Sequence, residues 1–527
     1  MNHRPISWWQ EGVIYQIYPR SFQDMNGDGI GDLAGVISRL SYLRDLGIQA
    51  IWLSPFFPSP MADFGYDVSD YCDVDPIFGT LAEFDGLVTA AHKVGIKVII
   101  DFVPNHTSDQ HPWFVESRRS RINSRRDWYV WRDPKPNGSP PSNWLSEFGG
   151  PAWTFDHRSG QYYYHAYLKE QPDLNWRNRD VRQAMFDVMR FWLDRGVDGF
   201  RVDAIHHLYE NLGLADNPPN PAWHEGLSPA RRLIRKNTMD QPETHDAIRD
   251  MRRVIDVYTN RVLIGEAYLP IEILMTYYGG RLDGFHLPFN FHLMSTPWKP
   301  NDIAALIQAY ESALPSGAWP NWVLGNHDRS RLASRIGLAQ ARVAAMLLLT
   351  LRGTPTIYQG EEIGMSDVPI PRDQVRDPWE KHVPGLGLGR DPVRTPMLWD
   401  DGANAGFSTG QPWLPLSQNF KEDNVEMQAN DPHSILSLYR ALLALRQREP
   451  ALSVGDYEPA DVGESVLAYE RRHNDQRILI ILNLGADTIQ PRCWPKAGEF
   501  LLSTSMQSRT IAEGQLRPAE GCIFKIS

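Results

Sequence analysis

Residues 180–205, DVRQAMFDVMRFWLDRGVDGFRVDAI, decide the fold. Apolar side chains recur at helical spacing through 180–196, Gly196 falls where a helix C′ residue needs positive φ, and the β-rich run VDGFRVDAI (197–205) follows at once. The same unit repeats on both sides. Upstream, 32–47 ends on Gly47 and runs into AIWLSP (50–55), and 80–95 ends on Gly95 and runs into IKVIIDFVP (96–104). Downstream, 244–259 precedes VLIGEA (262–267), 270–279 precedes LDGFHLPF (282–289), 301–315 precedes NWVLGNH (321–327), and 338–352 precedes GTPTIYQG (353–360). With VIYQIYP (13–19) in front, eight strands alternate with helices. That count predicts an α/β fold of the (β/α)8 TIM-barrel type, closed by a helix over 434–447.

The spacing fails once. Residues 105–173, after the third strand, carry Pro, Asn and Gly-rich sequence such as DPKPNGSPPSN, and are expected to form an inserted subdomain on the barrel's active face. Trp113, Trp128, Trp131, Trp144 and Trp153 argue that this insert is ordered. The barrel then occupies 1–104 and 174–454. Beyond it, SVLAYERR, ILIILNL and CIFKIS predict an antiparallel β domain over 455–527.

The whole chain has 527 residues, 42% hydrophobic and 22% charged, which sets aside disordered and fibrous classes. A net charge of −11 provides no basic field for a phosphate backbone, so nucleic acid is not expected as a partner. Three cysteines, Cys72, Cys493 and Cys522, form neither a disulfide framework nor a CxxC motif. The N-terminus MNHRPISWWQEG has no apolar leader, and the run from Ala344 to Leu351 is far short of the ~20 residues that span a membrane. A cytoplasmic location follows as the expectation.

Polar clusters fall at the C-terminal ends of four strands: Asp101 to His106, Arg201 with Asp203, Glu266, and His327 with Asp328. In a (β/α)8 barrel these ends open on one face, so residues distant in sequence converge there. Two carboxylates beside an arginine suit glycosyl transfer, one attacking and the other protonating the departing oxygen. Arg201, two residues before Asp203 and on the same strand face, favours an ionised Asp203 as nucleophile. Glu266, in the apolar context VLIGEAY with no adjacent cation, suits the acid/base. Asp328 is placed to stabilise positive charge on the sugar.

The segments DFVPNH (101–106), QPDLN (171–175), GFRVDAIHH (199–207), GEA (265–267) and NHD (326–328) resemble, in order, the signature regions of the α-amylase superfamily, glycoside hydrolase family 13. With GVIYQIYPRSF (12–22) and RTPMLW (394–399), the resemblance points to the α-glucosidase and oligo-1,6-glucosidase branch and covers about residues 8–450. It implies a barrel, an inserted B domain after strand 3 and a C-terminal β-sandwich. It also implies Asp203 as nucleophile, Glu266 as acid/base and Asp328 as transition-state stabiliser. His106, Arg201 and His327 would hold the first glucose. Asp63 and Tyr66 in DFGYD, with Arg394, would close the pocket beyond one sugar, and Phe148 and Gln171 are further carry-overs; Arg390 competes with Arg394.

The implied activity is that of a retaining, exo-acting α-glucosidase on maltose and short α-glucosides, with transfer to hydroxyl acceptors as a side reaction. Ala204, following the nucleophile, implies a preference for α-1,4 bonds, because α-1,6-preferring branches carry Val there. Two rivals use the same resemblance: a sucrose- or trehalose-forming isomerase with the same triad, and a membrane-anchored transporter subunit, which would lack the full triad. A separate motif, Asp24-Met-Asn26-Gly-Asp28-Gly-Ile30-Gly-Asp32, puts oxygens at relative positions 1, 3, 5, 7 and 9 of an EF-hand-like loop. Gly35 at position 12 removes the bidentate Glu, so a structural Ca2+ or Mg2+ is expected there, against an ion-free cluster of Asx turns.

Overall fold

A computed structural model describes residues 6–526. Eight parallel strands form one sheet: β1 (Ile14–Ile17), β2 (Ala50–Leu53), β3 (Lys97–Phe102), β7 (Gly199–Val202), β8 (Val262–Gly265), β9 (Leu287–Pro288), β10 (Asn321–Val323) and β11 (Thr354–Tyr358). The labels β4 (Trp131–Arg132), β5 (Trp153–Asp156) and β6 (Gln161–Tyr164) belong to the insert. The barrel strands follow chain order around the sheet, with β11 beside β1, so the sheet curls toward closure between β9 and β10. Side chains from both sides of that seam, Leu287 and Val323, join Ile14, Trp52, Ile99 and Ile264 in one buried interior cluster. Nearly every strand residue is buried, as expected for a parallel sheet wrapped in helices.

The helices between strands include Leu81–Lys93, Arg179–Asp194, Glu243–Ile255, Pro300–Ala313 and Leu338–Thr350, and Ile435–Arg448 packs as the closing helix. Gly47 and Gly196 adopt φ of 100° and 95°, the left-handed conformation a C-terminal glycine supplies without steric cost. Two expected elements differ. The 32–47 helix is broken in two, Leu33–Ser38 and Leu40–Leu46, at Arg39, whose ψ of 5° leaves the helical range. The expected strand 282–289 contracts to two residues, because Leu282 turns left-handed (φ 57°) and Gly284 N bonds back to Tyr278 O at 2.9 Å.

The insert folds into a small antiparallel sheet in the order β4-β6-β5. Its ends are stitched by bridges from His106 to Asp173 and from Tyr129 to Leu174, which fixes it over the β3 end of the barrel. Beyond the barrel, β12 (Asp456–Val462), β13 (Val466–His473), β14 (Gln476–Asn483), β15 (Glu499–Ser503) and β16 (Gly521–Ile526) form a five-stranded antiparallel sheet. One face, with Leu467, Tyr469, Ile480 and Ile523, joins the barrel core. The other packs under the irregular 489–516 segment, which bridges to itself at Ile489 and Leu516.

Candidate active site

The ends of β3, β7, β8 and β10 bring the chemistry together. The ladder runs one residue past the strands, with Asp203 N bonded to Phe102 O at 2.8 Å and Glu266 N to Val202 O at 2.9 Å. Both carboxylates are thereby mounted on sheet backbone and not on mobile loop. Beneath them Arg201, 1% exposed, reaches Asp101 at 2.7 Å and Asp203 at 2.6 Å through Nη1, and Glu266 at 2.8 Å through Nη2. Glu266 also accepts from Ala204 N at 2.9 Å through its other oxygen.

This corrects one step of the sequence argument. Arg201 serves three carboxylates, so it does not by itself select Asp203 as the ionised member, and Glu266 is not without a cation. Burial raises the Asp203 carboxyl well above its usual range; Arg201 opposes this, and the charges of Glu266 and Asp101 and a hydrogen bond to Glu266 add to it. Asp101 is pushed up to about 6 by the same burial, against Arg201. Asp203 and Glu266 thus stand against each other under a single guanidinium.

Asp328 is electrostatically opposite. Burial would raise its pKa, but His327 and the guanidiniums of Arg394, Arg390 and Arg201 outweigh it and hold the carboxyl well below the usual range. His327 is itself pushed down to about 3 by burial, so at neutral pH it is the guanidiniums that keep Asp328 ionised. Arg394 donates to Asp328 at 2.9 Å and to the His327 carbonyl at 2.9 Å. His327 is fixed between Gln16 and the Tyr66 hydroxyl, both at 2.7 Å.

These groups open into a cavity of about 340 Å³. Asp63, Tyr66, His106, Phe148, Gln171, Asp203, Glu266 and Asp328 line it, while Arg201, His327 and Arg394 lie behind that wall. Of the two arginines competing for the sugar-facing role, Arg394 is fully buried and Arg390 faces the cavity, which corrects the preference for Arg394. Arg390 pairs with Asp63 at 2.5 Å and Asp377 at 2.6 Å and lies 5.1 Å over the Phe148 ring. Gln171 bridges Asp63 at 3.3 Å and His106 at 3.0 Å. The Asp63–Arg390 pair, with Phe148 from the insert beside the guanidinium, forms a polar part of the cavity wall.

The alpha amylase catalytic domain model matches residues 16–455. The chain belongs to the α-amylase family. Among α-amylase family relatives, a probable alpha-glucosidase of Rhizobium meliloti is 42% identical over 533 residues, covering 98% of this chain and 96% of the relative. An oligo-1,6-glucosidase of Parageobacillus thermoglucosidasius is 37% identical, covering 98% and 99%. Among solved structures, the alpha-glucosyl transfer enzyme XgtA superposes with a TM-score of 0.93 at 41% identity, covering 99% of both chains. A mutant of the trehalulose synthase MutB, in complex with Tris, superposes with a TM-score of 0.91 at 35% identity, covering 99% of this chain and 100% of its own.

This α-amylase family cavity also has walls that the sequence reading left out. Glu147, Tyr167, His206, Arg231, Arg235, Tyr268, Arg329 and Trp379 line it. Several stand beside motifs already singled out: Glu147 beside Phe148, His206 in GFRVDAIHH, Tyr268 after GEA, and Arg329 after NHD. Arg231 and Arg235 come from the long segment after β7, which shows no periodicity or motif.

The 24–32 loop lies apart from the cavity. Asp24 accepts from Gly27 N and Gly29 N, both at 2.8 Å; Asn26 accepts from Asp28 N at 2.9 Å; Asp28 accepts from Ile30 N at 2.8 Å. Asp32 accepts from Met25 N at 3.0 Å and from Gly35 N at 2.6 Å, where it caps the Leu33–Ser38 helix. The side chains thus curl inward in Asx turns. Among the described residues no group of three His, Cys, Asp or Glu is gathered closely enough to hold a metal ion. The oxygens of Asp24, Asn26, Asp28 and Asp32 are engaged with the loop's own N–H groups.

Proposed function

We propose that the protein is a retaining, exo-acting α-glucosidase that removes glucose from the non-reducing end of maltose and short α-glucosides. The observation that carries this reading is a cavity lined at once by the buried Asp63–Arg390 pair, by Phe148 beside that guanidinium, and by Asp203 and Glu266, which Arg201 holds together; on this reading the Asp63–Arg390 pair closes the pocket beyond one sugar. One glucose fills the closed end. Asp203 attacks the anomeric carbon as Glu266 gives its proton to the departing oxygen, leaving a β-glucosyl ester on Asp203. Water then loses a proton to Glu266 and displaces the ester, so configuration is retained. The ionised Asp328 opposes the positive charge that develops on the ring. Arg201 spanning both carboxyls favours retention, since inverting enzymes leave roughly 6.5–9.5 Å between theirs for a water.

Transfer to an acceptor hydroxyl replaces water in the second step and is proposed as a side activity. The match to a trehalulose synthase keeps an isomerase as the second reading. Proton NMR of the purified protein acting on maltose, isomaltose, sucrose and trehalose separates the two. Early α-glucose, fastest from maltose, is expected; β-glucose as first product overturns retention, and an isomeric disaccharide with little glucose moves the function to the isomerase. A faster rate on isomaltose than on maltose overturns the α-1,4 preference.

We also infer a structural Ca2+ or Mg2+ at Asp24, Asn26, Asp28, Ile30 and Asp32, supported by the order of oxygens around the loop. Calcium is expected to raise the melting temperature relative to excess chelator. Equal melting temperatures, with no calcium in elemental analysis, leave the loop an ion-free turn cluster.

A further inference from the structure

The cavity is electrostatically uneven along its length. Arg390 is paired with Asp63 and Asp377, and behind the wall Arg201 and Arg394 are paired with Asp101, Asp203, Glu266 and Asp328. Arg235 is paired with Glu147. Arg231 and Arg329, which line the same cavity, have no side-chain hydrogen bond or ion pair to any described residue. The Arg329 guanidinium lies 5.4 Å over the ring of Tyr268, two residues past Glu266. Arg231 is exposed, on the segment that also supplies Gly226, Leu227 and Ser228 to the wall.

Like charges are rarely gathered beside a cavity without a counter-charge, least of all in a chain of net charge −11. The side on which they sit identifies what supplies it. Resting on the α-glucosidase reading, glucose occupies the closed end and the departing oxygen faces Glu266, so Arg329 beside Tyr268 and Arg231 flank the leaving group and, in transfer, the acceptor. We propose that Arg231 and Arg329 form a receptor for an anionic group, a carboxylate or phosphate, on the aglycone or acceptor. The reaction itself is unchanged. In transfer the acceptor hydroxyl gives its proton to Glu266, its oxygen bonds to the anomeric carbon, and the Asp203 ester bond breaks. Guanidiniums suit the task because their planar forks match both anions.

The test compares kcat/KM for three aryl α-glucosides: 4-carboxyphenyl, 4-phosphoryloxyphenyl, and the neutral methyl ester of the first. The wild-type enzyme is expected to prefer at least one anion over the neutral glucoside by roughly tenfold, as one charge-assisted contact provides. Which anion is preferred distinguishes the two sources of charge. The preference should reside in KM and shrink as salt is raised from 0.01 to about 0.5 M. In Arg231→Gln with Arg329→Gln the anionic-to-neutral ratio should fall to about one, and Arg→Lys at both positions should restore part of it. Arg231→Gln alone, on a segment away from the catalytic strands, should lower the ratio if the double variant does not fold. Equal kcat/KM on all three glucosides in the wild type, or a ratio unchanged in the variants, overturns the receptor. No turnover of any of them overturns the α-glucosidase reading and the receptor with it.

Discussion

Asp203 and Asp328 face one cavity with opposite electrostatic settings, and their removal should move stability in opposite directions. Asp203 has a folded pKa raised above the unfolded value by burial and by the charges of Glu266 and Asp101, so its ionised form costs folding free energy above that raised pKa. The cost fades as pH falls toward the ordinary aspartate range. Asp203→Asn should therefore raise the melting temperature at pH 8 by about 1–3 °C, with the gain shrinking on acidification, while turnover falls by at least about 10³-fold. Asp328 has a lowered folded pKa, so it contributes stability above the unfolded aspartate pKa that is lost as pH falls through the folded value. Asp328→Asn should lower the melting temperature at neutral pH. Thermal scans of both variants from pH 5 to 8 decide the matter, and shifts of the same sign would refute the electrostatic account. The motifs named all three carboxylates, but the sequence could not show that Arg201 is shared, because Glu266 meets it across two neighbouring strands. Nor could it separate Arg390 from Arg394: the contact that decides, Arg390 to Asp63, spans 327 residues.

At the scale of elements, the turn from β7 into the short 3-10 helix Ile205–His207 carries local strain beside the nucleophile. Ala204 sits there at φ 46°, ψ 31°, a left-handed conformation that costs a non-glycine residue, and its N–H holds Glu266. A β-branched residue tolerates this backbone worse. Ala204→Val should cost about 1–2 kcal/mol of stability, and on the proposed linkage reading should raise the ratio of isomaltose to maltose kcat/KM. Urea denaturation and paired initial rates check the two effects; an unchanged ratio would detach Ala204 from linkage choice, since Ala204 is 1% exposed and its link to the site is the backbone N–H it gives to Glu266. Most elements were legible because each repeats one pattern, an amphipathic helix, a glycine and a buried strand. The pattern failed where local turns win over periodicity, at Arg39 and at 279–286, and it was silent over the long segment that supplies Arg231 and Arg235.

Across the whole molecule, the C-terminal sheet and the barrel share one core, and the seam between them is held by buried arginines that have no acidic partner among the described residues. Arg446 donates to the carbonyls of Leu349, Leu452 and Gly353, and Arg471 to those of Thr350, Leu452 and Gly455. These carbonyls end the Leu338–Thr350 helix and the chain's crossing into β12, where no N–H follows to satisfy them. Burial pushes Arg446 down to about 10, and burial with the charge of Arg446 pushes Arg471 down to about 9, yet both stay cationic at neutral pH. Arg471→Ala relieves one buried charge but takes the donor from the Thr350 and Gly455 carbonyls and opens a cavity, and the second effect is the larger. It should lower stability by about 3 kcal/mol, or about 3 °C in a chain of this size. Because Tyr469, Ile480 and Ile523 pack into the barrel core, the two parts should also unfold in one calorimetric transition, in wild type and variant alike. Two resolved transitions, or a variant as stable as its parent, would show that the sheet is an appended module and that Arg471 does not couple it to the barrel.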